Sequence, residues 1–378
     1  MQDEREEVPT LMGPDAKAPT PQSPLQSSPV MPRFPGRVLR SLTSRYRIIS
    51  PLKGSSVFKA EVLSGPHVRQ QWAVLKCATT EDEVVGLIQE QENYGFPEIA
   101  SSPFVRKLLD TINTDGDPDL PPVPEGKTPL VAFLVLEWLD GNLTGLSESH
   151  FRDNPALAKA VAYAVLKALV ASKRAGRVNT DLNPNNIFVS DPTSATPLVK
   201  VGDLGGMTSS GYRETRCQPV PLRAPEVWAG TDGCIPASEI WALAVTLLRV
   251  VTGDSVFGAW DKPIKGHSEA WCIAKFVRFF FLSYIRQQKE PPYELPEPTE
   301  EFPEYEDQYE LAAYLALSDK FWNDGKDVMD MRERLVQLPT APSKELMEFL
   351  LFLLIPDPAR RPTAEEALVH PFLKDVGA

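Results

Sequence analysis

Two short stretches carry the residues best suited to chemistry. Asn179-Thr180-Asp181-Leu182-Asn183-Pro184-Asn185-Asn186 places an Asn five residues after an Asp, and Val201-Gly202-Asp203-Leu204-Gly205 follows a predicted hairpin. Asp181 suits orienting a hydroxyl nucleophile and accepting its proton. The amide oxygen of Asn186 and the carboxylate of Asp203 are hard oxygen donors of the kind Mg²⁺ takes. One acid beside two such ligands is the polar set needed to pass a phosphoryl group from a metal–nucleotide to a hydroxyl.

These residues need rigid elements to position them. Residues 1 to about 44 are rich in Pro, Ser and charge without an apolar period, and read as a disordered tail in which Ser23-Pro24 is an accessible dipeptide. From residue 45 the pattern changes. Arg47–Ile49, Val57–Val62 and Gln71–Lys76 alternate as strands, residues 81–94 carry a helical stripe of Val84, Leu87 and Ile88, and strands follow near Phe104–Leu109 and Leu130–Trp138. The loop Asn113–Lys127 between those last strands is full of Asp, Gly and Pro. After Trp138 helices dominate. Asp153-Asn154-Pro155 opens one with a cap and a first-turn proline. Residues 238–252 are apolar all round and stop at Gly253, and Thr363-Ala364-Glu365-Glu366 is a capping box. Residues 289–310 read as an acidic loop, and residues 344–355 as another apolar helix.

Composition narrows the functional classes. The 378 residues suit one two-lobed domain with extensions, and 42% hydrophobic content supports a real core. A net charge of −12 argues against nucleic acid as the main partner, because neutralising phosphates needs a basic face. It leaves room for a protein or peptide substrate, a basic one included. Cys77, Cys217, Cys234 and Cys272 lie far apart with no C-x-x-C pair, which favours a reducing intracellular compartment, cytoplasmic or nuclear, over a disulfide scaffold or zinc site. The apolar runs near Phe276–Ile285 and Leu346–Ile355 are short, so no membrane span is expected.

The two polar stretches resemble the H-R-D-L-x-x-x-N and D-F-G segments of the eukaryotic protein kinases. The resemblance covers residues 45–375, with its landmarks in family order. It implies an α+β, bilobal protein-kinase-like fold: a small antiparallel-sheet N-lobe with one helix at about 45–138, and a larger, mainly helical C-lobe at about 139–375. It implies Mg²⁺ and ATP as cofactors and Ser/Thr hydroxyls of a protein as acceptors. In this likeness Asp181 is the catalytic base, and Asn186 and Asp203 are the metal ligands. Lys76 holds the α/β-phosphates, with Glu92 as its helix partner and Glu90 as the alternative. Val57 and Val74 cover the base, Leu136 stands behind it, backbone groups of Glu137 and Leu139 meet its edge, and Phe188 caps it from below. Ala224-Pro225-Glu226 matches the A-P-E motif, with Arg361 in register as the partner of Glu226. Gln218-Pro219-Val220-Pro221-Leu222-Arg223, His267-Ser268-Glu269-Ala270 and Ser318-Asp319-Lys320-Phe321-Trp322 look like the fungal-type branch of SR-protein-kinase-like enzymes.

The chain departs from the family pattern at several places. Ser50, Leu52 and Ser55 stand where three glycines normally let backbone N–H groups approach phosphate, with only Gly54 nearby. Asn179 and Thr180 replace His and Arg, which removes the usual partner of a phosphorylated activation loop. Asn183 replaces the Lys that steadies the γ-phosphate, and Pro219 replaces its Thr partner. Three readings follow: an ATP-dependent Ser/Thr protein kinase, a pseudokinase acting as a scaffold, and a small-molecule kinase. The last is opposed by Glu226 and Arg361.

Overall fold

The computed structural model describes residues 35–113, 132–212, 217–291, 293, 306–322 and 330–376. The tail residues up to 34, most of the Asn113–Lys127 loop and most of the 289–310 acidic segment lie outside the described residues.

The N-lobe sheet is antiparallel, in the order β1-β2-β3-β4-β6-β5. Its strands are β1 (Val38–Arg40), β2 (Arg45–Lys53), β3 (Val57–Ser64), β4 (Trp72–Cys77), β5 (Leu108–Ile112) and β6 (Phe133–Glu137). Alternation decides which face is buried: in β3, Phe58, Ala60 and Val62 point into a core shared with Tyr46, Ile48, Leu75 and Val135. β1 pairs with β2, so the sheet starts at Val38, before residue 45 where the hydrophobic pattern begins.

Helix α1 (Glu81–Tyr94) lies beside the sheet, capped by Thr80, whose side chain accepts from the Glu83 N–H. Val84, Leu87, Glu90 and Asn93 form its buried face, at steps of three. This lobe also holds α2 (Pro97–Ala100). The C-lobe contains α3 (Glu148–Asp153), α4 (Pro155–Arg174), α5 (Pro225–Ala229), α6 (Pro236–Thr252), α7 (Ser268–Phe280) and α8 (Leu282–Gln287). Beyond them lie α9 (Glu306–Leu317), α10 (Met331–Val336), α11 (Lys344–Leu353) and α12 (Ala364–Leu368). The short strands β7 (Gly141–Asn142), β9 (Ile187–Ser190) and β10 (Leu198–Val201) form one small sheet. β8 (Arg177–Asn179) and β11 (Met207–Ser209) form another. This mixed α+β arrangement is the bilobal fold the sequence pattern implies.

α6 is buried on nearly every side and ends at Gly253, whose φ of +72° is open to glycine at no steric cost. Among the described residues, α4 is long and apolar enough to cross a membrane by length and composition. Its 18-residue window is 67% buried against the rest of the fold, so it serves as a core helix. Between the lobes, a parallel bridge joins Val105 to Val201, with Arg106 N–H donating to the Val201 carbonyl at 2.7 Å. That bridge places the start of β5 directly against the Gly202-Asp203 segment.

Candidate active site

The cleft between the lobes holds a cavity of about 610 Å³ lined by Lys76, Glu90, Asn186 and Asp203 among others. Lys76, on β4, sends its Nζ to Glu90 at 2.6 Å and to Asp203 at 2.7 Å. One ammonium group thus ties β4, α1 and the segment after β10 together. Burial works against its charge, but the Glu90 and Asp203 carboxylates outweigh burial and raise its pKa above the ordinary lysine value.

The structure corrects the partner assignment. Glu92 is exposed, while Glu90 has no exposed side-chain surface. Two residues along a helix is about 200° of rotation, so only one of the pair can face the cleft. The stripe already contained the signal: Glu90 is three residues beyond the inward-facing Leu87.

Asp181 has an amide on each carboxylate oxygen. Asn183 Nδ2 donates to Oδ1 at 2.8 Å and Asn186 Nδ2 to Oδ2 at 2.8 Å. Burial raises the Asp181 pKa, partly offset by those two hydrogen bonds. Because Asn186 spends its nitrogen on Asp181, its Oδ1 is left without a hydrogen-bond partner among the described residues. Asp203 takes a left-handed φ of +56°, which Asp tolerates better than most residues, and only its Oδ1 is engaged by Lys76. Two hard oxygens, Asn186 Oδ1 and Asp203 Oδ2, therefore remain on one cavity. Such a pair fits Mg²⁺, which binds through one or two protein oxygens and fills its octahedron with water and phosphate.

A second cavity, of about 590 Å³, opens beside Asp181 and shares Gly205 and Gly206 with the first.

The substrate-side loop is locked by buried polar contacts. Arg361 donates to both Glu226 oxygens at 2.7 and 3.0 Å, in the register that the spacing predicts. Gln218, strained at φ +65°, is held by its N–H to Thr180 O and by its side chain to Ser238 O and Ala224 N–H. Arg223 bridges Gln218 O to Glu269. Thr180, standing where an Arg is usual, donates its hydroxyl to Gly206 O. A neutral hydrogen bond thus anchors the segment that a charge pair would otherwise hold.

Residues 75–373 match the protein kinase domain. The chain belongs to the protein kinase family. A probable cyclin-dependent kinase 8 from Dictyostelium discoideum is 24% identical over 356 residues, covering 90% of this chain and 82% of that relative. Ribosomal protein S6 kinase alpha-4 from Mus musculus is 30% identical over 138 residues, 34% of this chain and 17% of the relative. Homeodomain-interacting protein kinase 1 from Caenorhabditis elegans is 32% identical over 127 residues, 32% of this chain and 14% of the relative. The kinase thus spans most of the first relative and less than a fifth of the other two.

The same cavity is also lined by Val57, Val74, Leu136, Leu139 and Phe188. Glu137 is already engaged. Its carboxylate pairs with Lys200 at 2.7 Å, and its carbonyl accepts from Arg106 Nε at 2.7 Å. The phosphate lid is a hairpin between β2 and β3 with Gly54 at φ +53° in its turn. Sequence reasoning missed two cations lining the cavity: Arg106, and Lys53 at the lid tip, whose charge lowers the Asp181 pKa. A lysine beside a turn carries no sequence signal of its own. Arg106 stands beside Lys107 between Val105 and Leu108, and the sequence does not say which of the two charged residues turns inward.

Proposed function

We propose that this chain transfers the γ-phosphate of Mg·ATP to Ser/Thr hydroxyls of a protein substrate. The observation that carries the reading is the simultaneous contact of Lys76 with Glu90 and Asp203, beside an Asp181 oriented through both oxygens. In this reading Val57, Val74, Leu136 and Phe188 enclose the base, and Leu139 and Glu137 lie at its edge. Lys76 binds the α/β-phosphates. Asn186 and Asp203 hold Mg²⁺, which when bound supplies positive charge to the phosphate oxygens. Asp181 aims the acceptor hydroxyl and takes its proton at a carboxylate oxygen. Phosphoryl transfer depends mainly on positioning and charge stabilisation, and both are supplied here by named residues.

The protein acceptor is favoured over a small molecule by the buried Glu226–Arg361 pair and the Gln218–Arg223–Glu269 network, which build a fixed platform beside Asp181. The same network supports placement in the SR-protein-kinase-like branch, and the acidic net charge suits a basic, Arg/Ser-rich peptide.

A second reading, a pseudokinase, is favoured by one observation: no cation stands at residue 183, next to the base. The two separate on Mg²⁺-dependent transfer to an Arg/Ser peptide. The kinase reading expects transfer that disappears in Asp181→Ala and Asp203→Ala, with Mg·nucleotide raising the melting temperature of the wild type. Nucleotide stabilisation without transfer would favour the scaffold. No stabilisation by any millimolar nucleotide would remove the nucleotide site altogether.

A further inference from the structure

Arg106 is a buried cation whose charge burial opposes and whose counter-charges, Tyr94, Glu90, Glu137 and Asp203, act on it without direct contact. The residue is 5% exposed, and it makes no ion pair among the described residues. One of these counter-charges, the Glu137 carboxylate, is paired with Lys200. Its side chain makes one hydrogen bond among the described residues, from Nε to the Glu137 carbonyl at 2.7 Å. Its guanidinium lies 4.3 Å from the centre of the Phe188 ring. Neither η nitrogen has a partner among the described residues, yet neither is sealed from solvent, and Arg106 lines the base end of the cavity. Burying a charge this way is costly unless something pairs with it.

The surroundings are shaped around this side chain. A Cβ on Gly202 would come within 2.9 Å of Phe188 Cε2 and 3.1 Å of Arg106 Cδ, so the absence of a side chain there makes room for the stack. With Arg106 in place the cavity still measures about 610 Å³, within the range of small-molecule sites. Arg106 is therefore part of the wall, and the space beside it remains open.

Its position has a chemical consequence at the base edge. The Glu137 carbonyl, which would accept from an exocyclic amine, already accepts from Arg106 Nε on one of its two lone pairs, and the η nitrogens are further donors of the same side chain. The Leu139 N–H, without a partner among the described residues, is a second donor at the same edge. The edge thus presents donors. Adenine offers one acceptor and one amine donor along that side, so its 6-amino group would face a cation. Guanine offers two adjacent acceptors, N7 and O6, the pair that arginine forks match best.

We infer that Arg106 is a specificity-determining residue that makes the base pocket take a 6-oxopurine nucleotide at least as tightly as ATP. This rests on the nucleotide-binding reading above and names the base: O6 accepts from an Arg106 η nitrogen, N7 accepts from the Leu139 N–H, and the phosphate chemistry is unchanged.

The test is direct binding of Mg·ATP, Mg·GTP and Mg·ITP to the full chain by calorimetry. ITP carries the 6-oxo group and N7 of GTP without its 2-amino group, so the wild type alone decides even if variants fold poorly. GTP and ITP binding at least as tightly as ATP is expected. Arg106→Val is expected to move the ATP-to-ITP affinity ratio at least tenfold towards ATP. ATP binding tighter than both 6-oxopurines in the wild type would overturn the inference while leaving the proposed function standing. No binding of any of the three would overturn both.

Discussion

Asn183 clamps Asp181: its amide nitrogen reaches both the Asp181 carboxylate, at 2.8 Å, and the Asp181 carbonyl, at 2.9 Å. In the proposed function, Asn183 gives up the lysine charge that the family pattern places here but still orients Asp181, the proposed base. The charge it forfeits has one nearby substitute, Lys53 on the lid. Lys53→Met is expected to lower kcat about tenfold or more, the order seen when one charge-stabilising group is deleted. Asn183→Ala should lower kcat through misorientation with the KM for nucleotide unchanged. Steady-state kinetics on an Arg/Ser peptide reads both, and a Lys53→Met enzyme with wild-type kcat would remove Lys53 from the mechanism.

The two glutamates on α1 make a controlled pair. Glu90→Gln should weaken Mg·nucleotide binding and sharply reduce transfer, because Lys76 loses its buried partner and α1 loses its tie to the cleft. Glu92→Gln, altering an exposed side chain, should stay within about twofold. Equal effects of the two changes would contradict the geometry.

The Glu226–Arg361 pair is a structural device, with side chains 1% and 0% exposed. Arg361→Ala strands a buried carboxylate and should destabilise the fold by about 3–5 kcal/mol. Arg361→Ala combined with Glu226→Gln should recover part of that loss. Chemical denaturation of the single and double variants measures it, and strict additivity would show that the pair is not coupled.

Glu239 gives a pH signature. It is fully buried, with one backbone hydrogen bond from Asn179 at 2.6 Å and its Oε2 without a partner among the described residues. Burial pushes its carboxyl from 4.5 up to about 8. The folded state therefore holds a proton that the unfolded state has lost above pH 4.5. Its contribution to stability is full below that pH and falls as pH rises towards 8, by roughly 5 kcal/mol across the window at about 1.4 kcal/mol per pH unit. Glu239→Gln should flatten the melting-temperature profile from about pH 5 to 8. A variant with the same slope as the wild type would assign the titration elsewhere.

Much of this was legible in one dimension because it depends on local pattern and fixed spacing. Alternation set β3 and β4, the cap and first-turn proline set α4, and the 135 positions between Glu226 and Arg361 marked a pair that closes at 2.7 Å. Asp181, Asn186 and Asp203 stood out because short loops leave little freedom between a motif and its geometry. The orientation of one helix about its axis was harder to read. Choosing Glu92 over Glu90 relied on distance to Ser102-Pro103, whereas burial follows rotation, and rotation is fixed by what α1 packs against.

Residue types and their order determined the fold, the polar set and the strand that carries Lys76, since those follow from hydrophobic period and backbone chemistry. Only the tertiary structure decided that Asn183 holds the base, that Lys53 stands over the site, and that Arg106 meets the Glu137 carbonyl. The Asn183 contact is local, two residues apart, and depends on the conformation its loop adopts in the folded chain; the other two join segments whose separation in the chain leaves no periodic trace, so packing and not a local rule decides them.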